Sequence, residues 1–269
     1  MASRTNNSVD RALELLRALA RARRPVRFAE LQAESGIPKG TLHSLLASLE
    51  AGEFVRRSAD GYEIGIAAFE VGTAVRAPTS LRGAASPLLD ELRPLGEACH
   101  LGVLDGGDVL YVDRRDYAQE ALHYTSRIGG RKPAYATGLG KAMLALKTDA
   151  EIELLYPARL PAVTARTITG RAELITLLAG VRASGYATES EESTPGVCCI
   201  GAASRIGDLI YGLSFTVPVV RVHEAGLAPR FRPVLSDLLS RLDAALTTAE
   251  WFEPGALTHP AALPKTPLN

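Results

Sequence analysis

The residues best suited to chemistry in this sequence lie close together in residues 185–203. This stretch reads GYATESEESTPGVCCIGAA and brings together three glutamates and two adjacent cysteines: Glu189, Glu191, Glu192, Cys198 and Cys199. Two carboxyl groups can act as acid and base when their environments differ, and a cysteine becomes a nucleophile when a base lies beside it. No histidine is near in sequence, so His100 or His123 would have to arrive through folding. We therefore favour solvated loop carboxylates and buried structural cysteines over catalysis.

A second stretch, residues 126–145, predicts a binding site for a small anion. It reads SRIGGRKPAYATGLGKAMLA, and its Thr137 and Gly138 stand at the start of an apolar helix. The first N–H groups of a helix have no partner within it and attract anions. The glycines do not form the strand–GxGxxG–helix fingerprint of dinucleotide sites, so we expect a small carboxylate and no cofactor. Metal binding would need more nitrogen or sulfur ligands at usable spacing, and we expect no metal.

The elements around these stretches predict an α+β domain with a mainly antiparallel sheet, over residues 79–252. Apolar periodicity predicts helices over 81–99, from Gly138 onward, and over 149–156, 171–184 and 222–250. Alternating patterns predict strands over 100–104, 109–114, 121–128, 197–204 and 209–217. Helix, hairpin, helices, hairpin and helix is the order of an α+β domain. Residues 253–269 contain four prolines and are predicted to be disordered.

Residues 28–64 predict a winged helix-turn-helix. Apolar residues recur every three or four positions in two short segments, interrupted at Ser35-Gly36. Gly36 can take the positive φ that ends the first helix, and Pro38 suits the start of the second. After this second helix, residues 38–51, an Asp60-Gly61 pair between alternating runs predicts a β-hairpin.

The helix over residues 38–51 is the predicted DNA-reading helix. Its apolar side leaves small and polar residues on the other side, and those that we assign to DNA contacts are Lys39, Gly40, Thr41, His43 and Ser44. Such side chains let a helix enter the major groove and contact base edges or phosphates. Arg56 and Arg57 in the hairpin would contact phosphates. Their alternative role, a solvated strand surface, is the less favoured one beside a helix-turn-helix.

The predicted DNA-binding domain spans residues 1–65 and is followed by a linker helix within residues 66–78. A first helix from Ser8 to Arg21 completes the DNA-binding domain. The linker helix is amphipathic and ends at Ala77-Pro78. Its apolar face has no evident partner, so packing against a second subunit and packing within its own domain are equally favoured.

Composition and charge fit a two-domain intracellular protein. The 269 residues carry no formal net charge, which argues against general nucleic-acid binding by the whole chain. Residues 1–60 hold 10 Lys and Arg against 7 Asp and Glu, and the remainder holds 20 against 23, so the bias is basic where the DNA reader is predicted. Three cysteines without a CxxC pair, no apolar run of about 18 residues and no signal-like N-terminus predict a cytoplasmic protein with no membrane partner.

Three motifs together resemble those of IclR-type transcriptional regulators. They are PKGTLHSLLASLEAGEFV, PAYATGLGKAMLA and GYATESEESTPGVCCIGAA, in the family's order and spacing, and the resemblance extends over roughly residues 8–250. It implies an N-terminal winged helix, a linker helix and a GAF-like effector-binding domain. It further implies homodimers or homotetramers that bind palindromic double-stranded operator DNA.

The resemblance also implies an effector pocket in the second domain. The backbone N–H groups of Gly138 and Leu139 would hold the carboxylate of the effector. The other matching positions are an acid where the family usually has Asp, a pocket cysteine and two polar residues on the last strand: Glu189, Cys199, Ser214 and Thr216. Ser214 and Thr216 are two residues apart and so share one face of a strand. Such a set suits a small polar acid.

Two residues depart from the family's pattern. Ser44 occupies a position that is usually Arg on the reading helix, which removes one expected DNA contact. Lys132 occupies a position at the pocket mouth that is often apolar. An inward Lys132 would favour a dianionic or hydroxylated acid, whereas an outward one, which we slightly favour, would be solvated.

The favoured hypothesis is a transcriptional regulator that is controlled by a small carboxylate metabolite of a catabolic pathway. Binding of this metabolite would change the relative orientation of the two reading helices in a dimer, and with it the affinity for the operator. The alternative is a cytoplasmic enzyme of small-acid metabolism that uses Cys199 and Glu189, and a turnover assay distinguishes it. A scaffold without effector control is the third hypothesis, and it predicts no thermal shift on addition of ligand.

Overall fold

The computed structural model describes residues 7–117, 126–222 and 226–247, and for residues 76–78 it describes the backbone alone. The described residues form two compact units that divide between Arg76 and Ala77. This division falls within the predicted linker. In the described ranges no helix is both long and apolar enough to cross a membrane.

The first unit is a helix-turn-helix followed by a two-stranded wing. Its elements, in chain order, are α1 (Asn7–Ala22), α2 (Phe28–Ser35), α3 (Lys39–Ala51), β1 (Val55–Ser58), β2 (Gly61–Ile64) and α4 (Ile66–Thr73). Gly36 ends α2 in the left-handed conformation, with φ 64°, and donates its N–H to the carbonyl oxygen of Gln32. The apolar sides of the helices and the wing meet in one core, which includes Leu15, Leu19, Val26, Leu31, Ile37, Leu42, Leu46, Val55 and Tyr62. The predicted winged helix-turn-helix is confirmed.

A close backbone approach holds the wing against the segment that follows α1. Val26 and Tyr62 exchange two backbone hydrogen bonds of 2.8 and 2.9 Å. A Cβ on Gly61 would lie 2.5 Å from the carbonyl oxygen of Val26, and its φ of 144° favours glycine as well. Ser58 pairs with Gly61, so the turn lies at Ser58-Ala59-Asp60-Gly61 and the predicted hairpin is confirmed.

The predicted linker helix is present, and the helix predicted over residues 81–99 begins five residues earlier than expected. α4 ends at Thr73, and a new helix, α5 (Arg76–Asp90), begins before the expected end at Ala77-Pro78. Pro78 lies in the first turn of α5, where a missing N–H costs no hydrogen bond. The helix predicted over residues 81–99 is wrong beyond Asp90.

The second unit is a six-stranded antiparallel sheet with helices on both faces. After α5 its elements are β3 (Ala98–Asp105), β4 (Asp108–Asp116), β5 (Arg131–Pro133), α6 (Gly138–Leu144), α7 (Asp149–Leu155), α8 (Arg171–Ser184), β6 (Ala187–Ser190), β7 (Val197–Ile206), β8 (Leu209–Pro218) and α9 (Ala228–Thr247). The strand order is β5-β4-β3-β8-β7-β6, and every pair of these strands is antiparallel. The predicted fold class, α+β with a mainly antiparallel sheet, is confirmed.

Several predicted boundaries in this unit differ from the structure. The strand predicted over 121–128 falls partly on residues 121–125, which lie outside the described residues, and residues 126–128 are not in a strand. β5 and β6 were not predicted. The last helix begins at Ala228 rather than 222, and residues 223–225 and 248–250 lie outside the described residues, as does the predicted disordered tail.

The sheet separates two cores. α5 and α9 cover one face, where Leu89, Leu101, Phe215, Phe231 and Leu242 belong to one apolar cluster. α6 and α8 cover the other face in a second cluster, which includes Leu139, Met143, Leu144, Leu174 and Leu178. Because side chains alternate along a strand, each central strand contributes to both cores.

Three glycines allow α6 to lie directly on the sheet. A Cβ on Gly102, Gly201 or Gly212 would come within 3.2, 2.6 or 3.0 Å of an atom of Leu139. Because a Cβ at the first residue of α6, Gly138, would lie 3.0 Å from the carbonyl oxygen of Cys199, only glycine fits there without movement of the backbone. The start of α6 is therefore packed against β7.

Candidate functional site

The exposed side of α3 carries the residues that were predicted to contact DNA. Lys39, Gly40, His43 and Ser44 are exposed, whereas Leu42 and Leu46 are buried in the core. Thr41 is half-buried, so its side chain is less accessible than predicted. The small side chains at Gly40 and Ser44 leave the backbone of α3 accessible, as insertion into a groove requires.

His43 has a packing role that the sequence did not indicate. Its ring stacks on Phe28 of α2, with ring centroids 4.3 Å apart and planes 26° apart. One face of the imidazole is therefore occupied by Phe28, and the ring edge and its other face stay available to a base or phosphate.

The two arginines of the wing have different surroundings. Arg56 lies opposite Glu63 in the hairpin and pairs with it, with Nη2 2.8 Å from Oε1. The guanidinium of Arg57 lies 5.7 Å from the ring centroid of Tyr62. In the described part of the chain no carboxylate oxygen lies within 4 Å of Arg57. Arg57 is therefore the arginine better placed to contact a phosphate.

A small polar cavity lies in the second unit, between the sheet and the loop that joins β6 to β7. Its described lining comprises His100, Tyr111, Ser126, Lys132, Thr137, Glu189, Ser193, Thr194, Val197, Cys199 and Thr216. Four of the residues predicted for an effector pocket are in this lining, namely Lys132, Glu189, Cys199 and Thr216. Gly138, Leu139 and Ser214 are buried beside it but are not in the described lining. The cavity measures about 20 Å³, which is room for one or two water molecules.

Strand register brings the lining residues together. Cys199 of β7 lies opposite both Glu189 of β6 and Thr216 of β8. His100 of β3 lies opposite Ser214 of β8. Four neighbouring strands therefore direct polar side chains to the same face of the sheet, next to the start of α6.

Glu189 is a buried carboxyl group with few polar partners. Its Oε2 accepts the backbone N–H of Glu192 at 2.8 Å, and its Oε1 accepts the hydroxyl of Ser193 at 3.4 Å. Burial raises the pKa of Glu189 to about 7, partly offset by the backbone hydrogen bond and by the charges of Lys141 and Lys132. Near neutral pH this group can therefore carry a proton and donate a hydrogen bond to a ligand.

His100 is held neutral by its surroundings. Burial lowers its pKa to about 3, and the charges of Arg114 and Lys132 act in the same direction. Its Nε2 lies 2.6 Å from the hydroxyl of Ser126, and its Nδ1 lies 3.4 Å from that of Thr216. Across the described residues no three His, Cys, Asp or Glu side chains are arranged to hold a metal ion.

Cys199 is a protonated thiol rather than a nucleophile. Burial and the charge of Glu189 raise its pKa to about 12, against hydrogen bonds from the hydroxyls of Ser214 and Thr216 and from the backbone N–H of Leu139. Ser214 and Leu139 lie near the thiol and are not in the described lining of the cavity. The N–H of Gly140 is also engaged, since it donates to the hydroxyl of Thr137 at 2.8 Å.

Lys132 faces the cavity, and the slight preference for an outward side chain is wrong. Its Nζ donates to the hydroxyl of Thr194 at 2.7 Å, and it belongs to the described lining. The reason is register, because Lys132 pairs with Val109 of β4 and so takes the face that points to Tyr111 and Glu189. Burial lowers the pKa of Lys132, against the charge of Glu189.

The loop that covers the cavity is anchored by a buried ion pair. Lys141 of α6 is fully buried, and its Nζ lies 2.5 and 2.6 Å from the two carboxylate oxygens of Glu192. The hydroxyls of Thr164 and Thr167 donate to the backbone carbonyl oxygens of Glu191 and Glu192 at 2.7 Å. These contacts hold the base of the loop, with Thr194 near the cavity.

The sequence missed several residues of this site. Those not assigned to the effector pocket are His100, Tyr111, Ser126, Thr137, Lys141 and Thr194, although Thr137 was placed at the start of the anion-binding helix and His100 was named as a residue that folding could bring near. His100 and Tyr111 interrupt apolar strands as isolated polar groups, and a buried polar residue in a strand is a usable signal. Lys141, three residues into an apolar helix, carried the same signal.

Comparisons with known proteins agree over both units. Residues 8–59 match the IclR helix-turn-helix domain, and residues 74–244 match the family described as bacterial transcriptional regulator IclR C-terminal. The HTH-type transcriptional regulator XynR of Escherichia coli (strain K12) is 33% identical over 245 residues, which cover 89% of this chain and 96% of that protein. The transcriptional repressor IclR of the same strain is 31% identical over 201 residues, 72% of this chain and 73% of that protein.

Solved structures have the same fold. The IclR protein of Thermotoga maritima superposes with a TM-score of 0.70 at 25% identity, covering 89% of this chain and 98% of that one. An IclR homolog from Microbacterium hydrocarbonoxydans, solved in complex with 4-hydroxybenzoate, superposes with a TM-score of 0.77 at 22% identity, covering 90% and 100%.

The two family domains occur in order and span most of the described residues. Relatives that align along 89 and 91% of the chain are named as transcriptional regulators, so the protein is a regulator rather than the small-acid enzyme considered above. The chain belongs to the IclR family of bacterial DNA-binding transcriptional regulators.

Proposed function

We propose that this regulator is controlled by a small carboxylate metabolite bound in the cavity of the second unit. The observation that carries the proposal is the ammonium group of Lys132, which faces a cavity also lined by hydroxyl groups. An ammonium group and hydroxyl donors are what a buried carboxylate needs for its oxygens. A protonated Glu189 would add a further donor.

Two related proteins support a small acid as the ligand. The homolog from Microbacterium hydrocarbonoxydans was solved with 4-hydroxybenzoate, and a relative from Salmonella typhimurium is named the acetate operon repressor. We propose by extension that the acid belongs to a catabolic pathway whose genes this regulator controls.

Ligand entry requires the cavity to enlarge. Pockets for small molecules usually measure about 300–1,000 Å³, whereas this cavity measures about 20 Å³. Lys132 and Thr194 are joined by a hydrogen bond at the cavity, and we propose that the ligand displaces Thr194 from Lys132. The backbone N–H groups of Gly138 and Leu139 remain proposed partners of the carboxylate, once Cys199 yields its contact with Leu139.

For DNA binding, we propose that α3 enters the major groove and the wing contacts phosphates. The exposed residues Lys39, Gly40, Thr41, His43 and Ser44 supply base and phosphate contacts in this arrangement, and Arg57 supplies more of the wing contact than Arg56. The contrast between Arg57 and the paired Arg56 supports this ranking.

A second copy of the chain is the proposed partner of the exposed apolar residues on α4. Ile66, Phe69 and Val71 are 59, 69 and 60% exposed in the single chain, which is unfavourable for three large apolar side chains on eight residues of helix. We propose a homodimer or homotetramer in the cytoplasm, bound to a palindromic operator. Because coupling between two ligands is reciprocal, operator DNA should change the affinity for the acid as much as the acid changes the affinity for DNA.

The effector proposal is tested by thermal unfolding with a panel of small acids. Thr216→Val keeps the shape of the side chain but removes a hydroxyl from the cavity, and Glu189→Gln removes a titrating group. Both should reduce the thermal shift that an active acid causes in the wild-type protein and should reduce its effect on operator affinity. Thr188→Ala, on the exposed side of β6, is the matched control and should respond as the wild type does. Wild-type responses in both cavity variants would place the binding site elsewhere.

The DNA proposal is tested by the salt dependence of operator binding. Arg57→Ala should reduce the log–log slope by about one, the effect of one lost phosphate contact. Arg56→Ala should have a smaller effect because Glu63 already pairs with it. Equal slopes in both variants and in the wild type would contradict a phosphate role for the wing. Thr41→Ala should separately cost about 1–3 kcal/mol of operator preference if Thr41 reads a base.

A further inference from the structure

We propose that Lys132 and Tyr111 form a subsite for a second anionic group, so that the effector is a dicarboxylate-like dianion rather than a simple monocarboxylic acid. This inference rests on the proposed function and makes it narrower, because it names the class of acid. It is carried by a lysine that has no carboxylate partner among the described residues, by a tyrosine hydroxyl beside it and by the adjoining cleft.

The first observation is the contrast between the two lysines around the cavity. Lys141 is fully buried and is neutralised by both carboxylate oxygens of Glu192. Lys132 is half-buried, and among the described residues no carboxylate oxygen lies within 4 Å of its Nζ. A charge that is partly removed from water without a counterion is unfavourable. An anionic ligand would supply this counterion.

The second observation is the hydroxyl group of Tyr111. The side chain is 6% exposed and lines the cavity, and the described residues offer its hydroxyl no hydrogen bond. Glu189 and Cys199 line the same cavity, so the Tyr111 phenol lies on their side of the sheet. The hydroxyl is therefore available to donate a hydrogen bond to a ligand in the cavity. A ligand oxygen between Tyr111 and Lys132 would satisfy both groups.

The adjoining cleft extends the site on the far side of Lys132. It shares Tyr111, Ser126 and Lys132 with the cavity, and its other described lining residues are Arg127, Gly130 and Arg131. The cleft measures about 230 Å³, and the described part of its lining contains three cationic side chains. Arg131 pairs with Asp105, so Lys132, between the cavity and the cleft, is the cation on which this inference rests.

Thr194 marks the position that the second anionic group would take. Its hydroxyl oxygen accepts a hydrogen bond from Lys132 at 2.7 Å, the separation expected for an ammonium group and a carboxylate oxygen. A carboxylate that replaces this hydroxyl would gain a charge–charge interaction that threonine cannot provide. The same exchange would release Thr194 and open the cavity toward the cleft.

The test compares acids that differ only in a second carboxylate. The probes are butyrate with succinate, valerate with glutarate, and benzoate with terephthalate, measured by thermal shift and calorimetry on the full chain. The wild-type protein should bind at least one diacid more tightly than its monoacid. Lys132→Met should raise the Kd of that diacid at least about tenfold, as for loss of a charge-assisted hydrogen bond, and should change the Kd of the monoacid much less. Tyr111→Phe should cause a smaller loss in the same direction.

Matched variants separate this subsite from a general effect of charge. Lys147→Met removes a partly exposed lysine that pairs with Glu151 away from the cavity, and it should keep the preference for the diacid. Lys132→Gln serves as a second variant if the first unfolds. Equal binding of both acids by the wild type, or an unchanged preference in both Lys132 variants, would overturn the inference while a monocarboxylate effector stands. Absence of binding by every acid would overturn the proposed function as well.

Discussion

The two faces of the six-stranded sheet are built from the same strands but differ in kind. Cys99 and Leu101 of β3 belong to the apolar cluster under α5 and α9, and His100 between them lines the polar cavity. On β8, Phe215 lies between Ser214 and Thr216 in the same way. One face is packed by aliphatic and aromatic contacts, whereas the other contains a cavity lined with hydroxyl, thiol, imidazole, carboxyl and ammonium groups.

This difference separates stability from function within one sheet. Apolar burial supplies most of the favourable free energy of folding, so the face under α5 and α9 can hold the unit together. The polar face contains groups that are costly to bury, and it keeps them where a ligand can use them. Residues on the apolar face should therefore affect unfolding first, and residues on the polar face should affect ligand response first.

The largest effect on stability is expected from Phe231→Ala on the apolar face. Phe231 is 1% exposed and stacks on Phe215, with ring centroids 4.6 Å apart. Its removal leaves a cavity between α9 and β8, and the expected loss is about 4 kcal/mol in the free energy of unfolding. Urea denaturation measures the loss. A loss below about 1 kcal/mol would show that α9 contributes little to this core.

On the polar face, the largest loss of stability is expected from Lys141→Met. The change leaves the Glu192 carboxylate, 13% exposed, without its cation, and breaking such a pair from one side costs about 3 kcal/mol. Glu192→Gln added to Lys141→Met should recover most of the loss, because no unpaired charge then remains. A double variant as unstable as the single one would mean that Lys141 acts through packing of its stem.

The sequence predicted the elements better than it predicted the cavity. Helical periodicity and a glycine with positive φ located the helix-turn-helix, because those signals are local. The helix predicted through Cys99 failed because the apolar residues after Gly96 belong to β3, and their pairing with β8 is decided far away in the chain. The orientation of Lys132 depends in the same way on its register with Val109. The errors in the predicted helix end and in the orientation of Lys132 therefore both come from contacts between residues far apart in the sequence.

Glu189 should make the stability of the polar face depend on pH. Burial raises its folded-state pKa to about 7 from an ordinary value of 4.5, so the folded protein holds this proton more tightly than the unfolded chain does. The free energy of unfolding should fall as pH rises from about 4.5 to about 7, by up to about 1.4 kcal/mol per pH unit from this group. Comparison of the wild type with Glu189→Gln isolates the contribution. Parallel pH profiles would mean that Glu189 is solvated in the folded protein.

The smallest effect on the free energy of unfolding is expected from Lys132→Met. The sign and size of this effect distinguish a ligand-binding lysine from a structural one. Burial of the ammonium group is unfavourable, as the lowered pKa of Lys132 shows. Methionine has a similar length and no charge, so the change removes this unfavourable burial. It also removes the hydrogen bond to Thr194, which is worth about 1 kcal/mol. Because these effects oppose each other, the free energy of unfolding without ligand should stay within about 1 kcal/mol of the wild type, or rise slightly. A loss as large as that of Lys141→Met would show that Lys132 holds the loop in place, and that the polar face carries two structural lysines instead of one.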